Sequence, residues 1–273
     1  MSTDDGIRAL VVDGVEVAVE RSGADTVATS SPRPYLHPVR TLGGTVVSEH
    51  HPGDHDWHCG VGVAIPGVDG VNCWGGRTYV EGLGYAWRDD HGSVELVHAE
   101  QHDTMSTEAL VWRGPDRAVV LSEDRTLRWH AVTSGWELSW SSSFRTPGDT
   151  PVHLGGPGSN GRAGAGYGGF FWRFPECTGV AVRTADAEGE GEGETAVHGS
   201  VTPWITWSAV FDGGPATIRL EAVDHHDPWF VRAEEYPAIG SALAWDSPAV
   251  VQPGEPLVRS FRATITDGAT LAG

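Results

Sequence analysis

The chain has 273 residues, enough to bury a large core as one β or α/β domain or as two smaller ones. Its 37 acidic residues outnumber 18 basic ones, and a formal charge of −19 gives no field to hold a polyanion, which excludes binding to a nucleic-acid backbone. Every basic residue is arginine; without lysine, Schiff-base chemistry, a lysine nucleophile and an internal-aldimine cofactor are excluded as well.

The stretch from Met1 to Arg8 is polar and acidic, and no segment reaches 18 uncharged apolar residues, so neither a signal peptide nor a membrane span is expected. Cys59, Cys73 and Cys177 are odd in number and form no CxxC pair. A disulfide framework is therefore not expected, and a reducing, cytoplasmic compartment is.

Short β-branched runs between turn signals, with 37 glycines and 17 prolines, predict an all-β protein. Residues 10–12 and 15–19, joined by Asp13-Gly14, read as a hairpin with a type I′ turn. Residues 35–40 form a short strand that Pro38, lacking a backbone donor, should confine to a sheet margin or a bulge. An apolar run follows at 61–65, then a glycine-rich turn region at 66–77. Further strands are predicted at 93–99, 107–113, 118–128 and 136–144. In the last, Trp136, Leu138, Trp140 and Ser142 alternate with Glu137, Ser139 and Ser141, the period of a half-buried antiparallel strand. A second glycine-rich loop at 154–167 leads into an aromatic strand at 168–174, and the acidic repeat at 186–194 reads as a solvated hairpin tip. Strands at 204–211, 216–223, 241–245 and 257–266 complete the set. With no helical periodicity, linker or repeat, the pattern predicts one domain over 1–273 built as a large antiparallel sandwich.

The chemistry concentrates in Ser48-Glu49-His50-His51-Pro52-Gly53-Asp54-His55-Asp56-Trp57-His58-Cys59-Gly60, too polar and too broken by Pro and Gly for core packing. Its HxxH pair, His55 and His58, flanked by carboxylates, suits a general acid–base pair or a divalent metal; solvated loop histidines are the plain alternative. On extended backbone, positions i and i+3 face opposite ways, so both rings share a site only if the loop turns. Arg33, Tyr35, His37 and Arg40 lie just upstream, where forked donors suit a carboxylate or a polyhydroxylated ligand. Asn160, Arg162 and Tyr167 sit in the second glycine-rich loop, where backbone approaches a ligand closely. Trp57, Trp74, Trp172 and Trp229 stand beside these loops as stacking platforms or as core. The third polar cluster, Glu221 to Trp229, offers Asp224 beside histidine as a second carboxylate, or an ordinary turn. No GxSxG, P-loop or dinucleotide fingerprint occurs, and Cys59 and Cys73 read as buried structural thiols.

Arg33-Pro34-Tyr35-Leu36-His37-Pro38-Val39-Arg40-Thr41 followed by Asp54-His55-x-x-His58-x-Gly60 resembles the soluble bacterial family labelled "methane oxygenase PmoA-like". The resemblance continues through residues 68–75, Asn160-Gly161-Arg162, 165–173, 224–232 and the entry to the final strand. It implies a galactose-mutarotase-like supersandwich and an association with carbohydrate catabolism; it implies no methane chemistry, because the chain has no membrane span. Where many members carry a second His before the Gly and a His beside the late Trp, this chain has Cys59 and Phe230, which removes two potential ligands.

Together these readings predict an enzyme acting on a sugar or sugar derivative by proton transfer, as an epimerase, isomerase or lyase. His55, His58 and Asp224 would be catalytic, and Arg33, Tyr35, His37, Arg40, Asn160, Arg162, Tyr167 and Trp229 would bind substrate. A divalent metal at His55 and His58 is the alternative use of the pair. The expected partner is a small carbohydrate-like molecule, with no nucleic acid and no membrane; a homo-oligomer is left open. A non-catalytic carbohydrate-binding protein and a metal-dependent oxidoreductase are the competing functions.

Overall fold

The turn-punctuated pattern folds as an antiparallel β-sandwich, in a computed structural model that describes residues 8–185, 193–224 and 227–268. The first strands are β1 (Arg8–Val12), β2 (Val15–Arg21), β3 (Tyr35–Val39), β4 (Val61–Val68) and β5 (Val71–Cys73). A small hairpin, β6 (Thr78–Val80) and β7 (Gly84–Ala86), stands apart from both large sheets. Then come β8 (Ser93–His102), β9 (Met105–Arg113), β10 (Val119–Val132), β11 (Gly135–Arg145), β12 (Val152–Gly155) and β13 (Gly169–Arg173). After β14 (Thr178–Thr184) a single-turn helix, α1 (Glu194–Val197), precedes β15 (Trp204–Phe211) and β16 (Gly214–Val223). The chain ends with β17 (Trp229–Arg232), β18 (Ala238–Ala242), β19 (Ala249–Val251) and β20 (Leu257–Asp267).

One sheet runs β1-β2-β3-β4-β13-β18-β17, with β5 and β12 also paired to β4 and β19 to β12; the other runs β14-β15-β16-β20-β11-β10-β9-β8. Their inner faces share one core. On β11, Trp136, Leu138, Trp140 and Ser142 all point inward and are buried, as their period requires. Asp13 and Gly14 adopt φ of 49° and 83°, the left-handed pair that a type I′ turn needs.

Seven strands, β5, β6, β7, β12, β14, β17 and β19, are not visible in the sequence pattern, β5 lying inside the stretch read as a glycine-rich turn, and the strand expected at 241–245 begins earlier, at Ala238. β3 is not at a margin, since it lies between β2 and β4. Pro38 is tolerated there because β3 meets β4 through Leu36↔Val61 alone and the β2 register shifts between Ala18 and Glu20, so the missing donor falls at a bulge. Of the acidic repeat, 186–192 lie outside the described residues. Glu194, however, is no solvated tip: its carboxylate accepts from Arg232 Nη1 at 3.0 Å and from the Ala233 backbone N–H at 2.8 Å.

The β4-β13-β18-β17 part of the first sheet is covered on both faces, which explains its near-continuous apolar strands. On β13, Phe170 and Trp172 enter the core between the sheets, whereas Phe171 joins a second apolar cluster on the opposite side with Ala64, Trp74, Phe230 and Ala238. That second cluster is the floor of the site.

Candidate functional site

Above this floor lies a cavity of about 370 Å³. The histidine loop forms one wall through His55, Trp57 and His58, and the β6–β7 hairpin region forms another through Arg77, Tyr85 and Trp87. Arg162 and Tyr167 come from the glycine-rich loop before β13; Phe230, Arg232, Glu235 and Tyr236 come from β17 and its exit.

The loop turns in the way the HxxH pair requires. His55 N–H donates to the Pro52 carbonyl and His58 N–H to the His55 carbonyl, at 3.0 and 2.9 Å, so consecutive turns bring both imidazoles to one side. The rings stack, with centroids 4.6 Å apart and planes 11° from parallel. The loop is anchored at its base, where Glu49 N–H donates to Arg173 O and Arg173 N–H to Gly60 O, each at 3.0 Å. Gly60 has φ of 49°, and a Cβ there would lie 2.2 Å from the Leu36 carbonyl oxygen, so only glycine fits.

Asp54 sits between His55 and Arg173. Its Oδ2 is 2.8 Å from His55 Nδ1, and Arg173 Nη2 donates to both carboxylate oxygens at 2.9 and 3.0 Å. Burial alone would push the Asp54 carboxyl up, but the His55 hydrogen bond and the Arg173 charge together hold it below its ordinary value. An ionised carboxylate only accepts, so His55 Nδ1 carries a proton, and in the neutral form of the ring Nε2 is the nitrogen left bare. His58 is buried, and burial first, then the charges of His55, Arg173 and Arg33, hold it well below its ordinary value; its imidazole is neutral. Its buried Nδ1 has no hydrogen-bond partner among the described residues. Tyr236 packs against both imidazoles at 4.6 and 5.2 Å and lies 4.8 Å under the Arg173 guanidinium. Burial pushes its phenol above the ordinary value, so it stays protonated.

Of the residues singled out in the sequence, His55, His58, Arg162 and Tyr167 come together here, with Trp57 and Trp74. The others go elsewhere. Arg33 is buried and spends its guanidinium on backbone: Nη1 donates to the carbonyls of Ser30, Ser31 and Trp74 at 3.0, 2.9 and 3.0 Å, and Nη2 to that of Trp57 at 2.7 Å. It positions the two tryptophans and does not line this cavity. Tyr35 and His37 belong to a separate cluster with His50, in which Tyr35 OH is 2.9 Å from His50 Nδ1 and the His37 and His50 rings stack at 4.0 Å. His50 and His51 are thus half-buried members of a ring cluster. Arg40 offers its carbonyl to Trp136 Nε1 at 2.8 Å and does not line the cavity. Asn160 is exposed and borders a small neighbouring cleft. Trp229 is core, its Nε1 donating to Thr202 O at 2.9 Å. Asp224, exposed at the end of β16, is not among the lining residues; Asp54 is the carboxylate beside His55.

Asp54, Arg173, Tyr236 and Trp87 were missed as site residues. Asp54 was legible, an acid directly preceding one of the pair; Tyr236 and Trp87 carry no motif and reach the site only through the fold.

The stacked pair does not fit a divalent metal. Chelation needs both nitrogen lone pairs to meet at one point roughly 2.0–2.1 Å from each ring. Lone pairs lie in the ring planes, and two stacked planes 11° apart do not meet there, while Nδ1 of His55 is already given to Asp54. Among the described residues, no three His, Cys, Asp or Glu side chains are placed to hold a metal ion.

No helix among the described residues is long and apolar enough to cross a membrane. No curated protein matches the chain in sequence. Among solved structures, the protein HI1317 is 6% identical, with 91% of this chain aligned to 92% of that one at a TM-score of 0.37. The GH36 α-galactosidase AgaA from Geobacillus stearothermophilus is 15% identical over 82% of this chain, at a TM-score of 0.32. This chain covers 32% of that enzyme's length. Likeness this weak carries no functional argument. The model of a family of unknown function, DUF6807, matches residues 8–273, and the chain belongs to that family.

Proposed function

We propose that the protein is a carbohydrate-processing enzyme that moves a proton on a sugar or sugar derivative, as an epimerase, isomerase or lyase does. The observation that carries this reading is the line Arg173–Asp54–His55, which fixes one tautomer of an imidazole at a cavity wall and leaves its Nε2 to accept a proton. The neutral His58 ring behind it and the protonated Tyr236 phenol beside it provide a second proton-handling group.

The cavity suits a ligand of monosaccharide size. About 370 Å³ is at the small end of ligand pockets, and Trp57, Trp74, Trp87 and Tyr85 present aromatic surface for the apolar faces of a sugar ring. Three free cysteines suit a reducing, cytoplasmic setting. The resemblance to PmoA-like proteins supports the sugar reading by association, and methane chemistry forms no part of it.

The test is incubation with a panel of aldoses, ketoses and their oxidised forms in heavy water, followed by NMR and mass spectrometry. Solvent deuterium at a ring carbon, or a new product, abolished by His55→Gln, is expected. Binding without exchange for every compound would instead leave a carbohydrate-binding protein.

A further inference from the structure

We infer that the ligand of this cavity is a sugar acid whose carboxylate is held between Arg77 and Arg162; the inference rests on the sugar reading above and narrows its substrate class. Acids outnumber arginines by 37 to 18 in the chain, so an arginine has many carboxylates available to pair with. Arg8, Arg113, Arg125, Arg173, Arg232 and Arg259 all do so. Arg77 and Arg162, both facing the cavity, have no carboxylate within ion-pair distance among the described residues.

Both are held by aromatic groups instead of by charge. Arg162 Nη1 donates to Tyr85 OH at 2.6 Å and its guanidinium lies 5.0 Å from the Tyr85 ring centroid. Arg77 lies 5.9 Å from the Trp87 ring. Stacking sets the plane of a guanidinium while leaving most of its N–H fork free, which suits bidentate capture of a planar carboxylate.

The other charges of the cavity are committed. Arg232 is paired with Glu194 at 3.0 Å and approaches Glu235 at 4.0 Å; Arg173 is paired with Asp54. Arg77 and Arg162 are thus an unneutralised pair in a wall region of a protein whose total charge is −19. A single carboxylate offsets one of these two charges and can accept from both guanidinium forks. The hairpin carries Tyr85 and Trp87 and the facing loop carries Arg162 and Tyr167, so an acid bound there also bridges these two walls.

Isothermal titration of the full chain with matched pairs tests this: glucuronate against glucose, galacturonate against galactose, mannuronate against mannose, and gluconate against glucitol. The acid of at least one pair is expected to bind roughly 10–100-fold more tightly than its neutral partner, the range of one or two charge-assisted hydrogen bonds. Arg77→Gln and Arg162→Gln should each weaken the acid about tenfold or more beyond any change in the neutral sugar, and Arg128→Gln, on an exposed face of β10, should change neither. Equal binding of acid and neutral sugar would overturn the carboxylate assignment while the sugar reading stands. Tighter binding of glucose 6-phosphate than of any uronate would likewise overturn it in favour of a phosphate. Binding of acetate or benzoate with no sugar of either kind would keep the arginine pair as an anion site and remove the sugar reading; no binding at all would remove both.

Discussion

Arg173 holds both carboxylate oxygens of Asp54 from the outward face of β13, and Asp54 in turn contacts His55. A buried cation, a half-exposed carboxylate and an imidazole therefore form a line running from the sheet to the cavity. The sheet supplies rigidity to the inner member, and the loop supplies access to the outer one.

Replacing Asp54 with Asn keeps the shape but removes the charge that selects the His55 tautomer. Turnover on the substrate should fall by about 10²–10⁴, with a much smaller change in KM, as expected when a residue orients a base without binding substrate. Steady-state kinetics of Asp54→Asn beside His55→Gln checks this. If Asp54→Asn keeps near-parental kcat, the line is structural.

Arg33 ties the carbonyls of Trp57 and Trp74 together from beneath the site. Its loss leaves four backbone carbonyls, at Ser30, Ser31, Trp57 and Trp74, without their donor. Arg33→Ala should cost about 3–5 kcal/mol in urea unfolding, and Arg33→Lys should recover only part of it, because an ammonium cannot reproduce the fork. A cost below about 1 kcal/mol would show that water replaces the clamp at no penalty.

The core holds a charged cluster that should make stability fall toward alkaline pH. Glu20 and Glu108 share Arg8, and Arg125 pairs with Glu123 between the sheets. Burial first, then the neighbouring Glu108 charge, pushes the Glu20 carboxyl from 4.5 up to about 8. A raised folded value means that the native state binds more protons than the unfolded one between these pH values, so stability drops as pH rises through that window. Glu20→Gln should therefore stabilise the protein at pH 9 and change little at pH 4; urea midpoints at the two pH values check it. An equal effect at both would show that Glu20 stays ionised.

The histidines act with the opposite sign. Burial, then the His50 charge, pushes His37 from 6.5 down to about 3, and burial holds His58 well below its ordinary value. A depressed folded value makes stability complete above about pH 6.5 and lost as pH falls from there toward the folded value. Thermal unfolding between pH 7 and pH 4 should show a steeper loss for the parent than for His37→Asn. Parallel curves would mean that His37 titrates normally.

The half-buried strands were legible because one face of each is polar, so period two shows directly in β11, and the β1–β2 hairpin was legible from its Asp13-Gly14 turn. Parity was not legible where both faces are apolar. On β17, Trp229 enters the core and Phe230 enters the cavity, and nothing in Trp-Phe-Val-Arg says which does which. The same lack of parity information misplaced His37, whose ring joins His50 and not His55. Asp224 was credited for standing beside histidine in sequence, whereas Asp54, equally close to one, has the fold behind it in Arg173. Tyr236 and Trp87 come from segments whose composition is ordinary, and only the approach of the β17 exit and the β6–β7 hairpin makes them walls.

The most direct measurement is side-chain ¹⁵N NMR of the histidines across pH, in the parent and in Asp54→Asn. The expected result is that the neutral form of His55 carries its proton at Nδ1 and leaves Nε2 bare in the parent, shifting to the Nε2–H tautomer or a mixture in Asp54→Asn. A parent His55 protonated at Nε2, or one unchanged by Asp54→Asn, would contradict the assignment of His55 as the base of this site.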